Sequence, residues 1–202
     1  LRGLVVVLWA VSGVGKVGIV GEPVHPKGSL TEWMKYREDD AGVTDLAIPG
    51  SHDSGCIEMP WYAATQDLTF AEQLDRGVRY FDIRVNDKGG DLVIFHSIGN
   101  GVSYESVLKD IDEFMDAHPS EFLVLDFSHF KNDSEEKVFA LLDEMVSAEK
   151  VVNDSNILDT TLLDNLTLKD ARGKLIVIIN PDKTDYRDRD YFLYQNDANV
   201  GG

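Results

Sequence analysis

Five runs of five to eight residues, apolar almost throughout rather than alternating, recur along the chain: 45–49 (DLAIP), 78–85 (VRYFDIRV), 92–96 (LVIFH), 122–127 (FLVLDF) and 174–180 (KLIVIIN). Runs of that length and composition are expected to be strands buried on both faces. Helical patterns separate them. In 103–118 (SYESVLKDIDEFMDAH) Ser103 offers an N-cap, Val107, Leu108, Ile111, Phe114 and Met115 fall on one face, and Pro119 ends the pattern. In 69–76 (TFAEQLDR) Thr69 is the N-cap, Glu72 follows three residues on, and Gly77 is the stop. A third pattern, 134–149, turns Val138, Leu141, Leu142 and Met145 inward. Buried strands alternating with amphipathic helices imply a parallel sheet covered by helices, the α/β class, with a closed barrel and an open sheet both allowed.

In either architecture chemistry collects at the carboxyl ends of the strands. The stretch 46–55 (LAIPGSHDSG) ends its apolar run on Pro49 and Gly50 and sets His52 beside Asp53. Asp82 and Arg84 lie on the second run, His96 closes the third, and Asp126, Ser128 and His129 close the fourth. Of the remaining histidines, His25 sits in a connector and His118 near a helix C-terminus, where an imidazolium favours the dipole. Asp82 and Arg84 are two apart, so on a strand they share a face, and a buried charge needs a partner. By spacing alone, a structural ion pair and a functional pair stand level.

Two histidines with an arginine and acids suit phosphoryl transfer. One imidazole takes a proton from the nucleophile, the other protonates the leaving oxygen, and the guanidinium stabilises the charge on phosphorus. A metal site is the rival, because His52, Asp53, Asp82, His96 and Asp126 could ligate zinc or a hard cation. Arg84 argues against it, since a fixed positive charge does what the metal would do. No cofactor is expected.

Lys and Arg total 19 against 36 Asp and Glu, a formal charge of −17. That balance repels phosphate backbones and anionic bilayers at long range, which argues against nucleic acid as a partner and leaves any transient membrane contact to local features or a neutral interface. A chain of 202 residues, 43% of them hydrophobic, fits one globular domain or part of a larger one. Cys56 is the single cysteine, so neither an internal disulfide nor a cysteine metal cluster can form.

Residues 1–28 stand apart from the domain at 29–202. The apolar run from Leu4 to Val11 behind Arg2 has the size of a signal-peptide core and is too short to span a bilayer; a buried strand or hairpin is the alternative. The stretch 21–28 (GEPVHPKG) is a connector. Gly13 to Lys16 resembles a phosphate-binding loop but has Ala10 in place of the first glycine and Val17 in place of the Ser or Thr, so it is set aside. Three Asn-x-Ser/Thr triplets, at Asn132, Asn153 and Asn165, are permissive for secretion without requiring it.

The stretches LAIPGSHDSG, TQDLTFAEQLDRGVRYFDIRV at 65–85, LVIFHS at 92–97 and HPSEFLVLDFSHF at 118–130 together resemble the X-domain family of phosphatidylinositol-specific phospholipase C, in its bacterial and X-domain-only eukaryotic forms. They stand in the family's order over about residues 31–180. The resemblance implies a TIM-type barrel of which this chain carries the N-terminal part, since a whole barrel needs about 250 residues. It implies that His52 is the general base acting on the inositol 2-hydroxyl, His96 the general acid for the diacylglycerol oxygen, Asp53 the support of that proton transfer, and Arg84 the phosphate clamp of metal-independent members. Asp82 joins the supporting network, and Asp126 and His129 are weaker supporting or substrate-binding candidates. In the family the acid that orients the base, and an aromatic against the inositol ring, come from the second half of the barrel, and neither is assigned here.

The expected activity is therefore metal-independent cleavage of phosphatidylinositol-type lipids or glycosylphosphatidylinositol anchors, giving inositol cyclic phosphate and diacylglycerol. Two alternatives stand beside it: a non-catalytic X-domain protein that binds phosphoinositol head groups or a protein partner, and a metal-dependent glycerophosphodiesterase. A secreted or extracellular location is expected, with the cytoplasm as the alternative.

Overall fold

The structure is a computed structural model that describes residues 5–9, 29–60, 63–152, 163, 165–179 and 192–194. His25, the connector at 21–28, the glycine-rich Gly13 to Lys16 stretch and Asn153 lie outside them.

Among the described residues eight strands occur in one sheet: β1 (Val5–Trp9), β2 (Ala47–Ser51), β3 (Tyr80–Lys88), β4 (Asp91–His96), β5 (Gly99–Ser103), β6 (Leu123–Lys131), β7 (Leu175–Ile179) and β8 (Phe192–Tyr194). The order β1-β2-β3-β6-β7-β8 is parallel throughout, and β4 and β5 branch from β3. Between the parallel strands lie α1 (Phe70–Asp75), α2 (Tyr104–Ala117), α3 (Glu135–Met145) and the short α4 (Leu168–Ala171). A 3-10 segment at Leu30–Tyr36 precedes β2.

The helix starts follow local chemistry. Thr69 and Glu72 form the reciprocal capping box at α1, and the Ser103 hydroxyl accepts the amide of Ser106 at α2. Ser134 departs from that pattern. It stands at the start of α3 but sends its hydroxyl to the carbonyl of Val85 on β3 instead of capping, which ties the helix to the sheet. Phe139, which the helical pattern at 134–149 left out, is fully buried with Val138 and Leu142, whereas Leu141 and Met145 are only partly covered.

The expectation of an all-parallel sheet fails at the third apolar run. Lys88 pairs with Asp91 across a turn of Gly89 and Gly90, both at positive φ (71° and 110°). Two residues in left-handed conformation make a tight hairpin, whereas a parallel partner needs a crossover of a dozen residues or more. β4 is therefore antiparallel to β3, and β5, which the sequence pattern did not show, is antiparallel to β4. The consequence is positional. β3 runs on past β2, whose pairing stops at Phe81, and β4 doubles back along it, with Ile94 opposite Val85, so that His96 returns toward the stretch carrying Arg84.

Two apolar clusters lie on the two faces of the sheet. Phe81, Ile83, Val85, Leu123, Leu125, Phe127, Leu175, Val177 and Ile179 pack against α1, α2 and α3. Ile48, Tyr80, Val124, Ile176 and Ile178 form the other cluster, closed at the amino ends of the strands by Trp33, Met34 and Phe122. Period-two alternation puts Asp82, Arg84 and Asp126 on the second face, above its apolar floor.

Candidate active site

Residues 52–55 form a turn beyond β2 whose backbone is held from four directions. Ser54 donates its amide to the carbonyl of Asp82 and its hydroxyl to the carbonyl of Ser51. Gln66 donates to the His52 carbonyl at 2.6 Å, and Gln73 of α1 donates to the Ser54 carbonyl at 2.7 Å. Asp53 adopts φ 50°, a conformation that Asp tolerates better than most residues. Gly55 is required by contact: a Cβ there would come within 2.9 Å of Ile94 on β4, pushing away the hairpin that brings His96.

Asp53 is the meeting point. Its carboxylate is buried, with Arg84 Nε at 2.6 Å from Oδ1, and His52 Nε2 at 3.3 Å and His96 Nε2 at 3.6 Å from Oδ2. Arg84 thus approaches from β3, His52 from the turn beyond β2 and His96 from the end of β4. The contacts to Asp53 lie off hydrogen-bond alignment, so charge rather than directed hydrogen bonding holds the group. Burial pushes its carboxyl above the usual range and the charge of Asp82 adds to that, while Arg84, His52 and His96 oppose it.

Both imidazoles have a polar partner on Nδ1. His96 Nδ1 lies 3.1 Å from the carbonyl of Ala63, which can only accept, so Nδ1 carries the proton and Nε2 faces Asp53. His52 Nδ1 lies 2.8 Å from Asp82 Oδ2, while half of the His52 side chain stays open to solvent. Arg84 Nη2 reaches the same Asp82 oxygen at 3.1 Å. Asp82 therefore contacts both the histidine and the arginine.

The weaker candidates sit at the edge of this cluster. Asp126 pairs with Asp82 across the β3 to β6 ladder and accepts the hydroxyl of Tyr80 at 2.5 Å. Burial raises the Tyr80 hydroxyl's pKa, and the charge of Asp126 adds to the effect. His129 joins through Ser128, whose hydroxyl donates to Asp82 Oδ1. Sequence reading passed over Tyr80, although its place two residues before Asp82 on one strand is the signal that puts it on that face.

His52, Asp53 and Asp82 offer three ligand atoms within 4.8 Å of one another, a spacing that a cation could use. Arg84 already contacts both of those carboxylates. A cation there would face the guanidinium at close range, so the donor set fits a metal poorly.

The family model described as phosphatidylinositol-specific phospholipase C, X domain, matches residues 41–180, more than half of the chain. The chain belongs to that X-domain family. Human PI-PLC X domain-containing protein 2 is 35% identical over 156 aligned positions, covering 57% of this chain and 50% of its own length. A 1-phosphatidylinositol phosphodiesterase of Staphylococcus aureus is 30% identical over 170 positions, covering 76% of this chain and 53% of its own length. A solved Staphylococcus aureus phosphatidylinositol-specific phospholipase C superposes with a TM-score of 0.61 at 26% identity, over 75% of this chain and 53% of that one. This X domain spans about half the length of the curated relatives it matches, and its fold is that of a TIM-type barrel, present in part.

Two sequence features of the X domain take on a local role. Asn132 donates its amide to Asn86 at 2.7 Å and to the Asp87 carbonyl at 3.2 Å, and the Ser134 hydroxyl is buried on Val85. In the folded domain this triplet is a turn lock that joins β6 to the β3 hairpin. Among the described residues no helix is long and apolar enough to cross a membrane.

Cys56 lies beside the site and is fully buried; burial, with Asp53 adding, pushes its thiol up to about 12. The native protein is expected to leave a chromogenic disulfide reagent unreacted at pH 8, with one thiol per chain appearing in denaturant. Fast reaction before unfolding would contradict that burial.

Proposed function

We propose that this X domain cleaves the phosphodiester of phosphatidylinositol-type lipids, free or within glycosylphosphatidylinositol anchors, by general acid and base catalysis without a metal ion. The observation that carries the reading is the convergence of His52 and His96 on one buried carboxylate oxygen, at 3.3 and 3.6 Å, with Arg84 at 2.6 Å on the other. Two imidazoles near one anion-binding guanidinium are what an in-line displacement at phosphorus needs.

In this reading Nε2 of His52 takes the proton of the inositol 2-hydroxyl. The hydroxyl oxygen forms its bond to phosphorus while the bond from phosphorus to the diacylglycerol oxygen breaks. Nε2 of His96, facing Asp53, gives its proton to that leaving oxygen, and the products are inositol cyclic phosphate and diacylglycerol. Arg84 neutralises the charge that builds on the phosphoryl oxygens. Asp53 stabilises the protonated form of His96 before transfer. The relatives named as phosphodiesterases support the substrate class.

The test is incubation of purified full-length protein with phosphatidylinositol vesicles in excess EDTA, followed by phosphorus NMR. Release of inositol cyclic phosphate at a rate unchanged by the chelator is expected. No turnover, or turnover seen only after calcium or magnesium is restored, would refute the reading.

A further inference from the structure

Two residues, Ser97 and Ile98, join β4 to β5, because His96 pairs directly with Gly99. Of the two only Ser97 is at positive φ, 55°. A two-residue hairpin with left-handed backbone at its first position ordinarily has glycine there, and turn positions in general favour small polar residues or glycine. This turn has a serine in the left-handed place and, after it, a β-branched apolar residue that is 76% exposed.

The hairpin is held without the help of Ile98. His96 Nδ1 meets the Ala63 carbonyl at 3.1 Å. β5 lies so close on the preceding stretch that a Cβ at Gly99 would come within 2.8 Å of the Ala63 Cβ, and one at Gly101 within 2.8 Å of the Met59 Cε. A single exposed apolar residue is ordinary on a protein surface. One that stands where turn chemistry asks for a polar residue, and that adds no packing, is not explained by the fold, and such local violations collect at functional sites. Among the described residues the other large exposed apolar side chains are Leu30 at 50% and Tyr36 at 55%, both on the 3-10 segment at the amino ends of the strands. Ile98 is instead two residues from His96, at most about 7 Å along the backbone.

We propose that Ile98 is the apolar contact through which this domain meets the diacylglycerol side of its substrate at a neutral lipid surface; the proposal rests on the reading of His96 as the general acid. In that reading His96 touches the diacylglycerol oxygen, so the glycerol and its acyl chains leave the site on the His96 side, where Ile98 is exposed. The charge decides the kind of surface. At a formal −17 the chain is repelled by an anionic bilayer, whereas an isoleucine entering a zwitterionic interface is driven by apolar burial alone. The closely packed hairpin adds to this, because a side chain presented at a fixed place loses little freedom on contact.

The experiment sediments full-length protein with phosphatidylcholine vesicles. It also compares cleavage of phosphatidylinositol carried in those vesicles with cleavage of a soluble nitrophenyl ester of inositol phosphate, which has no lipid half. Ile98→Ser is expected to weaken partitioning onto the vesicles about tenfold and to lower the ratio of vesicle rate to soluble rate by the same factor, the scale of one isoleucine side chain in part removed from water. Ile98→Trp, whose ring suits the interface, is expected to strengthen partitioning about threefold. Ser97→Gly frees the turn without touching the apolar side chain and is expected to partition like the wild type. At low salt the wild type is expected to prefer pure phosphatidylcholine to vesicles that also contain phosphatidylserine. Each variant is checked for a cooperative melt.

Ile98→Ser that partitions like the wild type, or that loses rate equally on both substrates, would overturn the proposal. So would Ser97→Gly that partitions as weakly as Ile98→Ser, since the shape of the turn would then be in control, and so would a preference for phosphatidylserine. Sedimentation needs no turnover, so it separates the two ideas. A wild type that holds to vesicles through Ile98 and cleaves no lipid removes the catalytic reading and keeps the contact. A wild type that cleaves lipid at a rate indifferent to Ile98 removes the contact alone.

Discussion

Replacing His96 by alanine is expected to lower cleavage of phosphatidylinositol by about 10²- to 10⁴-fold, the range for losing a general acid, and to leave most of the rate intact on a nitrophenyl ester of inositol phosphate. A nitrophenolate departs without needing a proton, whereas the alkoxide of diacylglycerol does not. His52→Ala is expected to lose rate on both substrates to the same degree, because the inositol hydroxyl must be activated whatever leaves. The geometry behind the contrast is the Ala63 carbonyl on His96 Nδ1, which leaves Nε2 to act, and the half-open His52 side chain, whose Nε2 faces Asp53. The measurement is the pair of kcat/KM values for each variant on the two substrates. Equal losses on both substrates for His96→Ala would remove it as the acid.

The largest effect on stability is expected at Arg79, at the end of the barrel away from the site. Its side chain is fully buried and all five of its N–H groups are engaged. Nε donates to Glu121 at 3.0 Å, Nη1 to the carbonyls of Leu74 and Val78 at 2.8 Å each, and Nη2 to those of Leu30 and Thr31 at 3.3 and 2.7 Å. The guanidinium also lies 4.6 Å from the centre of the Phe114 ring. Burial lowers the Arg79 pKa and raises that of Glu121, and each partner counters the shift of the other. Arg79→Met leaves Glu121 buried without its cation, along with several carbonyls. It is expected to cost about 3–5 kcal/mol, a fall in Tm of roughly 6–20 °C for a chain of this size. Arg79→Lys is expected to recover little, since three donors on one nitrogen cannot reach five divergent acceptors. Adding Glu121→Leu to Arg79→Met is expected to restore the part due to the stranded charge. A melt of Arg79→Met within 2 °C of wild type would show that the pair is not needed.

Neither half of that pair was marked in the sequence. Arg79 falls inside the second apolar run and Glu121 just before the fourth, 42 positions apart, and no local pattern links them. The same limit explains the error at the third run. LVIFH reads as one more buried strand, and only the Gly89-Gly90 pair before it announces a hairpin. His96 was nonetheless legible as a member of the cluster, because a histidine closing an apolar run is conspicuous whichever direction the strand takes. The relation of Asp82 to His52 was not, since it depends on the turn beyond β2, the β3 register and a bulge at Ser128 in the β3 to β6 ladder together.

The sequence by itself determined what is local. Apolar runs made the strands, Thr69 with Glu72 and Ser103 began two of the helices, and the polar residues at the strand ends named the cluster, because backbone propensity and capping act over a few residues. The tertiary structure decided which carboxylate faces which imidazole, how deeply Asp53 is buried, and that β4 turns back. Those outcomes depend on register, a one-residue bulge and contacts between residues far apart in the chain, and hydrophobic periodicity carries no record of them.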